Sequence, residues 1–336
     1  MQVKTHVFSL KNKYPFRIAH GIRYETQTFI LELSEGDTVG LGEATPVPYY
    51  GITPEVMEKL VLENKEAIED TAWDSPFEYW KQLAPFLGTN TFVQCAVDIA
   101  AYDFWAKKQQ KPLNVALGIN LNKAPLSNYT IGIDEISVMI ERLKEFDFPI
   151  YKIKLGTEND IEIVKALRSV TDAVFRVDAN TGWGVDETIK NAIELKKLGV
   201  EFIEQPLKSD NLEGMKDVMK HTCLPIMADE SCVSEADVEK CIGNFSGINI
   251  KLAKCGGITP ALRMIKMARE NNLKVMMGCM TESSVGISAI GHLASLLDYV
   301  DMDGAMLIAN DPAKGVSLEN GKIVYNQKPG TGAWLI

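Results

Sequence analysis

The chain has 336 residues, 46% hydrophobic and 24% charged, a balance with room for a sizeable core and two domains. Its formal net charge of −10 at pH 7 speaks against nucleic acid or an anionic membrane as partner, because those surfaces need basic patches. No apolar run reaches the roughly 18 residues of a membrane span, and Cys95, Cys223, Cys232, Cys241, Cys255 and Cys279 lack CxxC or CxxxC spacing, which argues against zinc and for reduced thiols used as small core residues.

In chain order, the opening MQVKTHVFSLKNKYPF has no basic segment followed by an apolar one, so a cytoplasmic protein working on a small molecule is expected, with a homo-oligomer left open. VKTHVFSL, TQTFILEL and TVGLGEA alternate in strand fashion, and SEGD supplies turn chemistry between the last two, which predicts a small antiparallel sheet. Helical patterns follow in TPEVMEKLVLENKEAI, with Thr53 and Pro54 as cap and first turn, and in TFVQCAVDIAAYDFWAKKQQ, which stops before Pro112. From Leu126 the runs YTIGI, IYKIKL, AVFRVDA, EFIEQP, PIMAD, GINIKL, LKVMMG and YVDMDGAM alternate with amphipathic helical stretches, the mark of a parallel sheet. The end, VSLENGKIVYNQKPGTGAWLI, returns to a hairpin pattern.

Polar residues close these runs. Lys154, Asp178, Glu204, Asp229, Lys251, Gly278 and Asp303 follow one another at intervals that each fit one βα unit. With no GxGxxG after the first strand and no phosphate-loop motif, a closed barrel that gathers catalytic residues at the C-terminal ends of its strands explains the series better than an open nucleotide-binding sheet. The fold class is therefore α/β.

Asp178, Glu204 and Asp229 end three successive strands. One acid in such a place is more often a cap or an ion-pair partner, but three at one-unit spacing define a hard-oxygen site that selects Mg²⁺ or Mn²⁺ over zinc. Lys154 lies on the strand before the trio and Lys251 on the strand after it, so the two approach one point from opposite sides. Lys152 shares a face with Lys154, and a neighbouring ammonium disfavours the charged form of Lys154, so that Lys152 tunes while Lys154 transfers a proton. Such a site suits proton abstraction beside a carboxylate, with the cation offsetting the charge of an enediolate. A metal-free Schiff-base lysine barrel is the alternative of a different class.

KIK at 152–154, RVDAN, EQP, ADES and NIKLAKCGG together resemble the enolase superfamily, muconate-lactonizing subgroup. The resemblance spans nearly the whole chain. It implies a modified TIM barrel of (β/α)7β type over residues 116–310 with an α+β capping domain over 1–115, the tail 311–336 packing back on the cap. It places metal ligands on Asp178, Glu204 and Asp229 and the acid/base pair on Lys154 and Lys251. Asp301 and Asp303 in YVDMDG resemble the paired acids that hold the α-ammonium of a dipeptide in the dipeptide epimerases, and Thr130 matches a substrate-contacting position. Two-lysine epimerisation of the C-terminal residue of a dipeptide is the reaction implied; an o-succinylbenzoate synthase-type lyase or an N-acylamino acid racemase would share the metal and lysines. Thr281 to Ser283, at the seventh strand end, are candidate pocket residues. Members acting on Ala-Glu dipeptides carry an arginine after the PF dipeptide where PFRIAHGIRYET has Gly21, with Arg23 nearby. That loop and PVPYYGI form a lid in which Tyr49 and Tyr50 are candidate lining residues.

Overall fold

The structure is a computed structural model that describes residues 1–19 and 21–336, with the Tyr49 side chain also outside the described part. Strands β1 (Gln2–Ile18), β2 (Gly21–Glu35) and β3 (Thr38–Ala44) form the expected antiparallel sheet. Gly36, at φ +57°, makes the β2–β3 turn that a side chain would strain. β1 runs beyond the alternating VKTHVFSL, and its register with β2 shifts between Lys11 and Phe16. That irregularity lets Phe16 and Ile18 reach the barrel mouth.

Helices α1 (Pro54–Glu63), α2 (Lys65–Asp70), α3 (Pro76–Leu87) and α4 (Thr91–Lys108) follow. Thr53 Oγ1 accepts from Val56 N at 3.4 Å, the predicted cap. The single helix expected from TPEVMEKLVLENKEAI divides at Asn64, whose backbone leaves the helical region at φ −115°, ψ 18° while its side chain donates to Leu60 O. α4 is buried on almost every side, which is why its sequence shows no polar face. β3 presses on it so closely that a Cβ at Gly40 or Gly42 would collide with the carbonyls of Ala100 and Ala96.

The barrel strands are β4 (Tyr129–Ile131), β5 (Ile150–Lys154), β6 (Val174–Asp178), β7 (Val200–Glu204), β8 (Ile226–Ala228), β9 (Gly247–Ile250), β10 (Lys274–Gly278) and β11 (Tyr299–Asp301), neighbours in chain order and parallel. A parallel bridge between Ser127 and Val300 closes the ring. A helix follows each of the first seven strands, and β11 leads only into the short turn Gly304–Met306, so the barrel is of (β/α)7β type with an antiparallel cap. Phe202, Met227, Met276 and Tyr299 fill its floor. Side chains above them alternate with the outward-facing core, placing Lys152, Arg176 and Asn249 one layer below the strand ends.

The tail runs along both parts. Ala313–Lys314 pairs with Trp334–Leu335, and Thr331 donates through N (2.6 Å) and Oγ1 (3.0 Å) to Asp103 of α4. Ala313 and Ala333 pack with Ile30 and Leu41 of the cap sheet. Among the described residues no helix is long and apolar enough to cross a membrane.

Candidate active site

The C-terminal ends of the barrel strands bring the predicted acids and lysines together. Lys154 Nζ donates to Asp178 Oδ2 at 2.7 Å, and Lys251 Nζ, just past β9, donates to Asp229 Oδ2 at 2.8 Å. Lys152 Nζ lies 2.8 Å from Glu204 Oε2, 2.9 Å from Asp301 Oδ2 and 3.1 Å from Asp178 Oδ2. All six of Lys152, Lys154, Asp178, Glu204, Asp229 and Asp301 are buried. The crowding of two bare ammonium groups read from KIK is therefore replaced by a cation bridging three carboxylates. Burial favours the neutral form of Lys152, but Asp301, Glu204 and Asp178 outweigh it and hold its proton well above the usual lysine range. Its charge is shared among those acids, and it also acts to lower the proton affinity of Lys251.

The acids titrate unequally for local reasons. Burial pushes all of them up; at Asp178 the Lys154 and Lys152 charges overcome it and hold the carboxyl at about 2. Asp229 falls below the usual carboxylate range against burial because Lys251 and Lys254 both pair with it. Glu204, buried and facing Asp178, rises to about 7. Acceptors in excess of donors remain. Among the described residues, Glu204 Oε2, Glu230 Oε2, Asn180 Oδ1 and Asn249 Oδ1 are buried without an aligned hydrogen-bond donor, and Glu204 Oε2 meets Lys152 as an ion-pair contact. A buried cluster of carboxylate and amide oxygens that lacks donors fits a hard divalent cation. Gly278 of β10 is needed beside it, since a Cβ there would press on the Asn249 amide that holds Glu204 Oε1.

A cleft lies over this centre. Its cap wall is Phe16, Ile18, Arg23, Val47 and Tyr50, and its barrel wall includes Thr130, Lys154, Lys251, Met280, Thr281, Asp301 and Asp303. Arg23, Tyr50, Thr130 and Thr281 thus stand where the sequence reading put them, on the cleft. Asp303 Oδ2 accepts from Thr130 N at 2.6 Å; burial, then the nearby Asp301 charge, raise its carboxyl to about 8. Tyr49 lies outside the described side chains.

Two expectations need correction. Ser283 does not face the cleft: it is fully buried, its N and Oγ donate to Glu43 at 2.8 and 2.6 Å, and its Oγ caps the helix Ser284–Leu293. A serine just before a helix is a capping residue first. Cys279, read as a core thiol, instead lines the cleft with its Sγ 4.0 Å from Asp303 Oδ1. The sequence reading passed over Lys254, whose Nζ donates to Asp229 Oδ1 at 2.8 Å, and Gln205, whose Oε1 fixes the backbone of Asp229 and Ser231. Lys254 was visible as the second lysine of NIKLAKC, one helical turn from Lys251; Gln205 carried no signal beyond its place after Glu204.

A (β/α)7β barrel that ends adjacent strands in carboxylates and faces them with lysines from opposite walls has its polar residues gathered where enzymes of this barrel class carry their active sites. Residues 2–118 match the mandelate racemase/muconate lactonizing enzyme N-terminal domain, and residues 136–335 match the enolase C-terminal domain-like family; the chain belongs to this enolase-superfamily family. It is 49% identical over 336 residues to the L-Ala-D/L-amino acid epimerase of Flavobacterium johnsoniae, covering 100% of both chains. A solved dipeptide epimerase from Cytophaga hutchinsonii, complexed with Mg and the dipeptide D-Ala-L-Val, superposes with a TM-score of 0.94 at 27% identity, over 100% of this chain and 96% of that one. The dipeptide epimerase from Enterococcus faecalis, complexed with Mg and L-Leu-L-Tyr, gives a TM-score of 0.91 at 32% identity, over 99% and 98%.

Proposed function

We propose that the chain is a Mg²⁺-dependent dipeptide epimerase, an isomerase that inverts the α-carbon of the C-terminal residue of a dipeptide. The observation that carries this reading is the pair Lys154 and Lys251, which reach one cleft from β5 and from the end of β9, four strands apart in an eight-stranded ring. The relatives named above support it.

Asp178, Glu204 and Asp229 would hold the cation, Mn²⁺ being an acceptable substitute for Mg²⁺ on the same oxygens. Bound there, it would neutralise the substrate carboxylate and offset the second negative charge that grows as the α-proton leaves. Everything else falls to the chain. One lysine, as the free amine, takes the α-proton from its side; the other, as ammonium, returns a proton to the opposite face of the planar enediolate. For the opposite diastereomer the two lysines exchange these roles, so the enzyme runs in both directions. Asp301 and Asp303, at and just past the end of β11, form the end of the cleft that takes the α-ammonium. Phe16, Ile18, Val47, Tyr50, Met280 and Leu307 line the apolar side of the cleft and keep water from the reacting carbon.

The acids also separate this reading from its neighbours. A lyase substrate or an N-acylated amino acid brings no ammonium and would give Asp303, on the cleft wall, no cation to meet. A Schiff-base nucleophile works without a metal and would leave the carboxylates of Asp178, Glu204 and Asp229, which surround the lysines, without a role. A cap of residues 1–115 over a barrel of 116–310, the tail returning to the cap, and a cytoplasmic setting complete the reading. The test is a dipeptide library incubated with the protein and Mg²⁺ in deuterium oxide. Substrates should gain one mass unit and acquire the second diastereomer; a library in which no member exchanges its α-proton overturns the reading.

A further inference from the structure

We propose that Asn128 and Arg176 are positioning residues that commit Asp301 to Lys152, leaving Asp303 as the carboxylate that meets the substrate ammonium; the ammonium half rests on the epimerase reading above. Arg176 sits inside the barrel, 3% exposed. Its guanidinium lies against the rings of Phe202 and Tyr299, with centroids 5.4 and 4.9 Å away, and its Nε pairs with Glu201 Oε2 at 2.8 Å. A guanidinium only donates. The Asn128 amide must therefore turn Oδ1 toward it (3.3 Å), and this fixes which end of the amide points up the barrel. Asn128 Nδ2 then donates to Asp301 Oδ1 at 2.7 Å, and Asp301 Oδ2 takes Lys152 at 2.9 Å.

The relay is buried throughout: Asn128 is 0%, Lys152 2% and Asp301 4% exposed. In such surroundings each bond is directional and a missing partner is costly. Both oxygens of Asp301 are engaged by donors of the chain, so an ammonium group bound there would have to displace Lys152 or Asn128. Asp303 differs. Thr130 N occupies its Oδ2, and among the described residues the contact on its Oδ1 is the long one from the Cys279 thiol at 4.0 Å, which leaves that oxygen to an incoming cation. Through Asp301 the relay sets where Lys152 stands against Asp178 and Glu204.

Asn128→Asp is the informative variant, because it is isosteric and accepts from Arg176 as well as asparagine does, yet it sets a second carboxylate against Asp301. With the fold intact by circular dichroism, kcat should fall about 30-fold while KM for a dipeptide changes less than about threefold. The swap Asn128→Asp with Asp301→Asn reverses the polarity of the bond, keeps an oxygen for Lys152, and should recover about tenfold of the loss. Asp301→Asn alone, which buries no new charge, should lower kcat rather than raise KM, and decides the matter if Asn128→Asp fails to fold. A KM raised more than tenfold in Asp301→Asn, with kcat kept and no recovery in the swap, would overturn the assignment. The Lys152 ammonium signal of ¹⁵N-lysine-labelled protein gives a readout without substrate: it should move in Asn128→Asp and return in the swap. Should the intact protein exchange no dipeptide, the function fails while that signal still decides the relay.

Discussion

Glu43, at the end of the cap sheet, and Ser283, at the mouth of the barrel, are joined by two hydrogen bonds, from Ser283 N at 2.8 Å and Ser283 Oγ at 2.6 Å. Thr28 Oγ1 and Gly286 N donate to the same buried carboxyl. One side chain therefore satisfies four donors contributed by β2 and by the first turn of the helix Ser284–Leu293.

Glu43→Ala should destabilise the protein by about 2–4 kcal/mol, because it leaves those donors buried without an acceptor. Urea unfolding measures it. Glu43→Gln retains one acceptor oxygen and should cost less; equal stability of the alanine variant and the parent would show that the contact holds nothing.

Chelation should abolish epimerisation, and Mg²⁺ or Mn²⁺ should restore it. Asp178→Asn, Glu204→Gln and Asp229→Asn should each lower activity by at least about 100-fold and weaken Mn²⁺ binding measured by electron paramagnetic resonance, since each deletes an anionic ligand of a hard cation. Full turnover in EDTA would end the metal assignment.

Asp303→Ala should raise KM by about tenfold or more and leave α-proton exchange detectable at high substrate, because the residue meets the ammonium rather than the reacting carbon. Kinetics on one dipeptide and its N-acetyl form check this: the variant should narrow the gap between them. A fall in kcat at unchanged KM would assign Asp303 to the chemistry instead.

The parts of the site legible in the sequence were those fixed by periodicity. Strand ends recur with each βα unit, so Lys154, Asp178, Glu204, Asp229 and Lys251 follow from the barrel alone. Contacts made across the barrel have no such signature. Asn128 and Lys152 meet Asp301, and Arg176 meets Asn128 and the Val300 carbonyl, because β4, β5 and β6 curl round to β11, and a linear sequence does not show which residue faces which across a closed ring. Ser283 was misplaced for the reverse reason: nearness to a strand end was visible, but the carboxyl that claims its hydroxyl comes from β3 in the cap. The glycines of TVGLGEA likewise acquire their reason only when α4 is laid against them.

Asp98 of α4 predicts a pH dependence of stability. It is buried, accepts from Thr259 N and Oγ1 at 2.8 and 2.9 Å, and burial raises its carboxyl to about 7. Below pH ~4 folded and unfolded chains both hold this proton; between ~4 and 7 the unfolded chain releases it while the folded chain keeps it, so stability falls as pH rises through that window and levels off above it. The contribution is on the order of 2–4 kcal/mol. Asp98→Asn should flatten the unfolding free energy between pH 5 and 8 relative to the parent, and an identical slope in both proteins would refute the raised pKa.

Lys154 and Lys251 can be told apart by the face each serves. In deuterium oxide, Lys154→Ala should block α-proton exchange from one diastereomer of a dipeptide while Lys251 still exchanges the other, and Lys251→Ala should show the reverse. Neither variant should epimerise. The reason is geometric: a planar intermediate held between opposite walls inverts only if the proton arrives on the face opposite the one it left. The ion pairs sharpen the expectation. Lys154 is held by Asp178 and Lys251 by Asp229, carboxylates of different strands, so neither amine can swing across to replace the other. Lys254, which also pairs with Asp229, stands on the side of Lys251 and gives no substitute for Lys154. Loss of exchange from both diastereomers in either single variant would mean that one lysine performs both transfers, and the two-base assignment would fall.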